Sequence, residues 1–165
     1  MRYQTLALTA AMFLAVAAAS AQAPRVVREV AESDSALPAM AVAAAKVIET
    51  ESHAPARFSG VFAGSREAKP ATDSVLAATH WDKADNRVPF VVCRQGTSCP
   101  EAEEARRRVT WKMVSFRATD DSVYVGAEAS SAQGNRSQCV VLARAGSGWG
   151  AGSMSPAKSA RRCGQ

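Results

Sequence analysis

The chain lacks the short motifs by which several large enzyme and binding classes announce themselves. There is no G-x-S-x-G nucleophile elbow, and the glycine-rich stretch GSGWGAGS (146–153) does not link a strand to a helix as a phosphate loop must, so it reads as a hairpin turn. Histidine is scarce, with His53 and His80 the two present. The four cysteines, Cys93, Cys99, Cys139 and Cys163, are not paired at the two-to-four-residue spacing of a zinc site, so no metal is expected. No apolar run reaches the roughly 17–25 residues of a spanning helix. Basic residues outnumber acidic ones by 20 to 15, but they are dispersed. A nucleic-acid binder concentrates its charge with aromatics nearby. The dense run Arg106-Arg107-Arg108 reads as a solvated helix end, where cations suit the dipole. Neither a cofactor nor a nucleic-acid partner is expected, and no internal repeat is present.

What is there begins with an export signal. Arg2 supplies a short positive region, and Leu6 to Ala19 is an uncharged, mostly apolar run of about 14 residues followed by small residues in an A-x-A pattern. That three-part order is a secretory signal peptide. Cleavage fits after Ala21 or after Ala23; the first is preferred because Pro24 would follow the second and suits a protease site poorly. No cysteine stands at the cleavage site, which argues against a lipoprotein, and no membrane anchor is expected once the signal is removed. The Ala-rich apolar region and terse positive region are of bacterial type, so the expected destination is the periplasm or the medium.

Removal of residues 1–21 leaves about 144 residues with a net charge of +4, one domain's worth of chain. All four cysteines lie after the signal. An even number in an oxidising compartment implies two disulfides, with three possible connectivities. Cys93–Cys99 and Cys139–Cys163 are favoured: the first closes the loop CRQGTSC, the second ties the tail to a strand. In the chain-entropy model each is worth roughly 2–3.5 kcal/mol.

Along the mature chain, 22–33 reads as a flexible leader and 34–154 as a single domain. A helix is expected in SDSALPAMAVAAAKVIETES, with Ser33, Asp34 or Ser35 as cap, Pro38 in the first turn, and Ala41, Ala44, Ala45 and Val47 or Ile48 at helical spacing. ARFSGVFAGS (56–65) leans to a strand, REAKPATD (66–73) to a loop, and SVLAATHW (74–81) is ambiguous. VPFVVC (88–93) is a strand by β-branched content. A short helix through about Arg107 is marked by Ser98 and Glu101 at capping-box spacing and by Pro100. The C-terminal third reads as a three-strand antiparallel meander: RVTWKMVSFRA (108–118), SVYVGAEAS (122–130) and QCVVLARA (138–145), with SAQGNRS (131–137) as a polar loop. In the first of these, Val109, Trp111 and Met113 share a face, after which the apolar set shifts to Val114 and Phe116, which implies a bulge. Residues 155–165 form a polar tail held by Cys163. The expected fold class is therefore α+β, with an N-terminal helix and a short helix packed on a curved antiparallel sheet.

A helix feeding a long Trp-bearing strand, then an alternating strand, then an apolar strand closed by Gly146-Ser147-Gly148-Trp149, resembles the C-terminal half of nuclear-transport-factor-2-like domains, over about 98–150. The resemblance implies a cone-shaped α+β domain, possible membership among exported bacterial proteins of that superfamily, and a pocket between sheet and helices. It implies no particular activity, since the superfamily includes isomerases, dehydratases, transport factors and binding modules.

Few side chains suggest chemistry. His80 and Asp82 could pair as a general base, as His/Asp pairs do in the cone of that fold, but Asp82 opens a turn and the plainer reading is a surface His beside it. His53 reads as a helix-terminal His, and Asn135-Arg136-Ser137 as an unused glycosylation match. Trp111 and Tyr124 either fill the core or line a concave apolar pocket. The function expected is an exported binding or interaction domain, taking a small apolar ligand or an envelope protein; the alternative is a cone-fold isomerase, dehydratase or hydrolase using His80 or Asp82.

Overall fold

The computed structural model of the chain describes residues 26–52, 56–79 and 109–165. His53, His80, Trp81, Asp82, Cys93, Cys99, and the strand and short helix expected over 88–107 lie outside the described residues, as does the export signal.

The first helix, α1, spans Leu37–Ser52 and follows the two-residue strand β1, Arg28–Glu29. Leu37, Met40, Ala41, Ala44, Ala45 and Ile48 are buried, the i, i+3, i+4, i+7 stripe that seats a helix on a core. Of the candidate caps, Asp34 closes the entry: its Oδ1 accepts from the Ala36 N–H at 2.9 Å, and its Oδ2 accepts from Arg28 at 3.1 Å. The Ala36 N–H, and secondarily Arg28, hold the Asp34 carboxyl below its ordinary value of 3.8. A carboxylate with a depressed folded pKa stabilises the fold above the unfolded value, and that contribution is lost as pH falls through the folded value. Asp34→Ala is expected to cost about 1 kcal/mol at neutral pH, and the difference from the parent should close as the pH is taken below 4. Urea unfolding at pH 7 and at pH 3 measures both; a pH-independent difference would refute the assignment.

Strand β2, Ala56–Ala63, confirms the strand expected at 56–65; it turns through Gly64 (φ 68°) into the short β3, Arg66–Glu67. A second helix, α2, Lys69–Ala78, stands where a loop and an ambiguous stretch were expected. Its apolar face is small, Ala71 and Val75 beside Thr72, which is why its period is faint in the sequence. Pro70 lies in its first turn, where no N–H is missed. Thr72 is buried because its Oγ1 accepts the Val61 N–H at 3.0 Å, beside a register irregularity between Phe58 and Gly60.

The remaining strands are β4, Val109–Ala118; β5, Ser122–Ser131; β6, Gly134–Ala145; and β7, Gly148–Pro156. Seven described strands form one sheet in the order β3-β2-β4-β5-β6-β7, with β1 also paired to β4. The fold is α+β. The sheet is mixed rather than purely antiparallel: β2 runs parallel to the first half of β4 (Ala56 opposite Val109, Val61 opposite Met113), and β1 runs antiparallel to its second half (Arg28 opposite Ala118). The bulge expected in β4 falls at Val114, where the register with β5 shifts between Met113 and Ser115. This extra residue keeps Trp111, Met113, Phe116 and Ala118 all in the core.

The meander has four strands, not three. Residues 131–137 are not a loop but the ends of β5 and β6, which stay paired from Ser122–Ala143 to Ser131–Gly134 around a two-residue turn at Ala132-Gln133. β7 carries three glycines among its nine residues, a composition depleted in strands, so it left no strand signal.

Both helices contribute to a single core. Leu37, Met40, Ile48 and Val75 meet Phe58, Val61, Met113, Phe116, Val123, Val125, Val140 and Leu142. The opposite face of the sheet is covered by the C-terminal segment. Cys139 and Cys163 are joined as a disulfide, with Cα atoms 5.3 Å apart, as one of the favoured pairings had it. The segment makes a short 3-10 turn, Ala160–Arg162. Ser115 Oγ donates to the Ala160 carbonyl at 2.7 Å, and Arg117 Nη1 donates to the Arg161 and Cys163 carbonyls at 2.9 and 2.7 Å. Arg117 is buried and its other nitrogen meets Glu29 at 3.2 Å.

Candidate functional site

The helix-covered face is not filled to its end. At one end of the sheet, where β4 and β6 begin and β5 and β7 finish, a cavity of about 440 Å³ opens beside the last turn of α1. Its apolar lining is Val109, Trp111, Ala129 and Met154; its polar lining includes Glu51, Gln133, Arg136 and Gln138.

Strand register explains why the cavity forms here. Trp111, Ala129 and Arg136 are direct cross-strand partners on β4, β5 and β6, forming one row across the sheet. The next row is Met113, Ala127 and Gln138. Facing side chains in such rows are about 4.5–5.5 Å apart at Cβ. In both rows the central residue is an alanine, so a single methyl separates a large apolar side chain from a long polar one. Space remains above β5, and β6 turns polar groups toward it. Further along β6 the same face carries Val140 and Leu142, fully buried.

Trp111 decides the character of the site. Its side chain is 4% exposed, and its Nε1 is the only buried side-chain nitrogen or oxygen without a hydrogen-bond partner among the described residues. Buried polar groups are ordinarily paired, and each exception calls for an explanation. The two readings offered for Trp111, core packing and pocket lining, both hold: it belongs to the core cluster and lines the cavity. Tyr124 does not. Alternation puts it with Gly126 on the opposite face, where Gly164 (φ 79°) abuts its ring. Whether His80 and Asp82 approach the cavity lies outside the described residues.

A shallower groove of about 370 Å³ runs between α1 and β7, lined by Ala43, Lys46, Val47 and Trp149. The Trp149 ring carries the Arg144 guanidinium 5.2 Å from its centre, a cation–π contact. Among the described residues no buried side-chain nitrogen or oxygen of the groove lacks a partner, so the cavity at Trp111 is the better site. Among the described residues no three His, Cys, Asp or Glu side chains gather, and no helix is long and apolar enough to cross a membrane.

Glu51, Gln133, Arg136, Gln138 and Met154 were not among the residues expected from the sequence to form a site. A signal for two of them was present: in Arg136, Gln138, Val140, Leu142 the strand alternation runs from apolar into polar on the inward face. It was obscured because 131–137 read as a loop.

Comparison of the chain with family models, with curated proteins and with solved structures finds no match.

Proposed function

We propose that this protein is an exported binding domain whose cavity between the end of α1 and the β5–β6 hairpin takes a small, largely apolar molecule. The observation that carries the reading is Trp111, which lines that cavity and whose Nε1 is buried without a partner. The volume lies within the roughly 300–1,000 Å³ usual for small-molecule sites, and the mixture of an apolar lining with a few polar groups is usual as well. The pattern over 98–150 that resembles nuclear-transport-factor-2-like domains supports a pocket between sheet and helices. The Cys139–Cys163 disulfide supports an oxidising destination, and residues 1–21 supply the signal to reach it. We place the mature protein in the periplasm or the medium of a bacterium.

One measurement addresses both halves of the reading. The protein purified from its native envelope is expected to give an intact mass that begins after Ala21 and lacks four hydrogens, and a native mass spectrum with a small retained molecule. An intact Met1 would refute export; four free thiols would refute the disulfides. A retained envelope protein in place of the small molecule would move the function from ligand binding to protein interaction.

A further inference from the structure

Resting on the reading of the cavity as a binding site, we infer that its ligand is a monocarboxylate with an apolar body, its carboxylate held between Trp111 Nε1 and the Arg136 guanidinium. An indole nitrogen only donates. Whatever satisfies the buried Trp111 N–H is therefore an acceptor, which excludes ligands whose polar end is an ammonium. Arg136 stands in the same cross-strand row, one strand beyond Ala129. It is exposed, and its contact within the protein, Nη2 to Gln133 Oε1, is long at 3.4 Å. A guanidinium free to reorient over a methyl-sized gap is suited to a carboxylate, which it binds through two parallel N–H groups.

The other side of the mouth fixes the orientation and the charge. Glu51 and the last turn of α1 line it, and a helix C-terminus is its negative end. The carboxylate therefore lies over the sheet, away from the helix, and a second negative charge is disfavoured. Val109, Ala129 and Met154 take the apolar body. Nε1 is sealed from bulk water as it stands, so the acceptor reaches it when the side chains over it move aside.

Titration calorimetry of the whole folded protein with octanoate, octanamide and octylamine tests the inference. Octanoate should saturate one site, octanamide should bind about tenfold more weakly for want of the charge-assisted contact, and octylamine should bind more weakly still. Arg136→Gln, at an exposed position that leaves the core intact, should weaken octanoate about tenfold and octanamide markedly less, since the amide loses only an uncharged contact. Trp111→Phe should weaken both, with thermal unfolding confirming that it folds. Octylamine binding as tightly as octanoate, or an octanoate affinity unchanged by either substitution, overturns the carboxylate site while leaving a binding cavity in place. Failure of all three probes to bind overturns the carboxylate site and the binding reading together.

Discussion

Replacement of Cys139 and Cys163 together by alanine is expected to lower the free energy of unfolding by about 3 kcal/mol. The bond closes a loop with a sequence separation of 24 residues, and in the chain-entropy model a cross-link of that span removes about 3.5 kcal/mol of freedom from the unfolded chain. Its consequences in the folded state are local. Cys139 sits opposite Gly126 on the outer face of the sheet, and Cys163 follows the 3-10 turn that covers that face. Losing the bond therefore frees one end of the segment while leaving the helix-facing core untouched. Urea denaturation of the oxidised parent and the double variant gives the difference directly. Equal midpoints would mean that the hydrogen bonds from Ser115 and Arg117 hold the segment unaided.

The second large effect is expected at Gly126. A Cβ there would fall within bonding range of the Ala160 carbonyl and collide with Ser115 Oγ. The Ala160 carbonyl is backbone and cannot rotate away, so Gly126→Val must lift the C-terminal segment off the sheet. Overpacking of this kind costs 1–3 kcal/mol and occasionally more. Here it also breaks the Ser115 bond to Ala160 and disturbs the two from Arg117, each worth about 1 kcal/mol net. A loss of about 3 kcal/mol is expected in the full chain. The control is a chain ending at Pro156 with Cys139 changed to serine. With the Ala160 backbone gone, and Ser115 Oγ released from it and able to rotate away, the same substitution should cost little, since valine suits a pleated sheet better than glycine. A similar cost in both backgrounds would show that the close approach is not the cause. The effects of the cysteine pair and Gly126 should also fail to add, because both act through one segment.

How much of this could be read in the sequence varied with the strength of the physical signal. α1 was legible because its apolar spacing is regular and Asp34 sits where a capping side chain is wanted. The β4 bulge was legible because a strand has a period of two: once Val114 broke the phase of Trp111 and Met113, an extra residue was the economical explanation. α2 escaped because its buried face is built from Ala71, Thr72 and Val75, and Thr72 is there for a hydrogen bond that no periodicity reveals. β7 escaped because a strand lying on an already formed sheet can be held by its ladder with β6 even when its side chains are glycine and serine. The parallel partnership of β2 and β4 joins residues more than fifty apart, and local pattern carries no information about such pairings. The candidate site was legible only as far as Trp111. Its remaining members come from five different elements, and the alanines that leave the space, Ala127 and Ala129, look in sequence like ordinary small core residues.

The placement of β4 also governs the order in which the molecule can assemble. It pairs with β1 and β2 on one side and β5 on the other, and its earliest partner in the chain, Arg28, lies opposite Ala118. Until the chain has been made or delivered past residue 118, β1 and β2 lack the strand that joins them to β5, β6 and β7. Contacts of such long sequence separation must meet the entropy of loop closure before they return anything, so they form late and slowly. A polypeptide appearing N-terminus first would therefore leave its sheet unassembled until β4 has followed. That is the state a chain must keep if it is to pass through a narrow translocation channel before it folds on the far side.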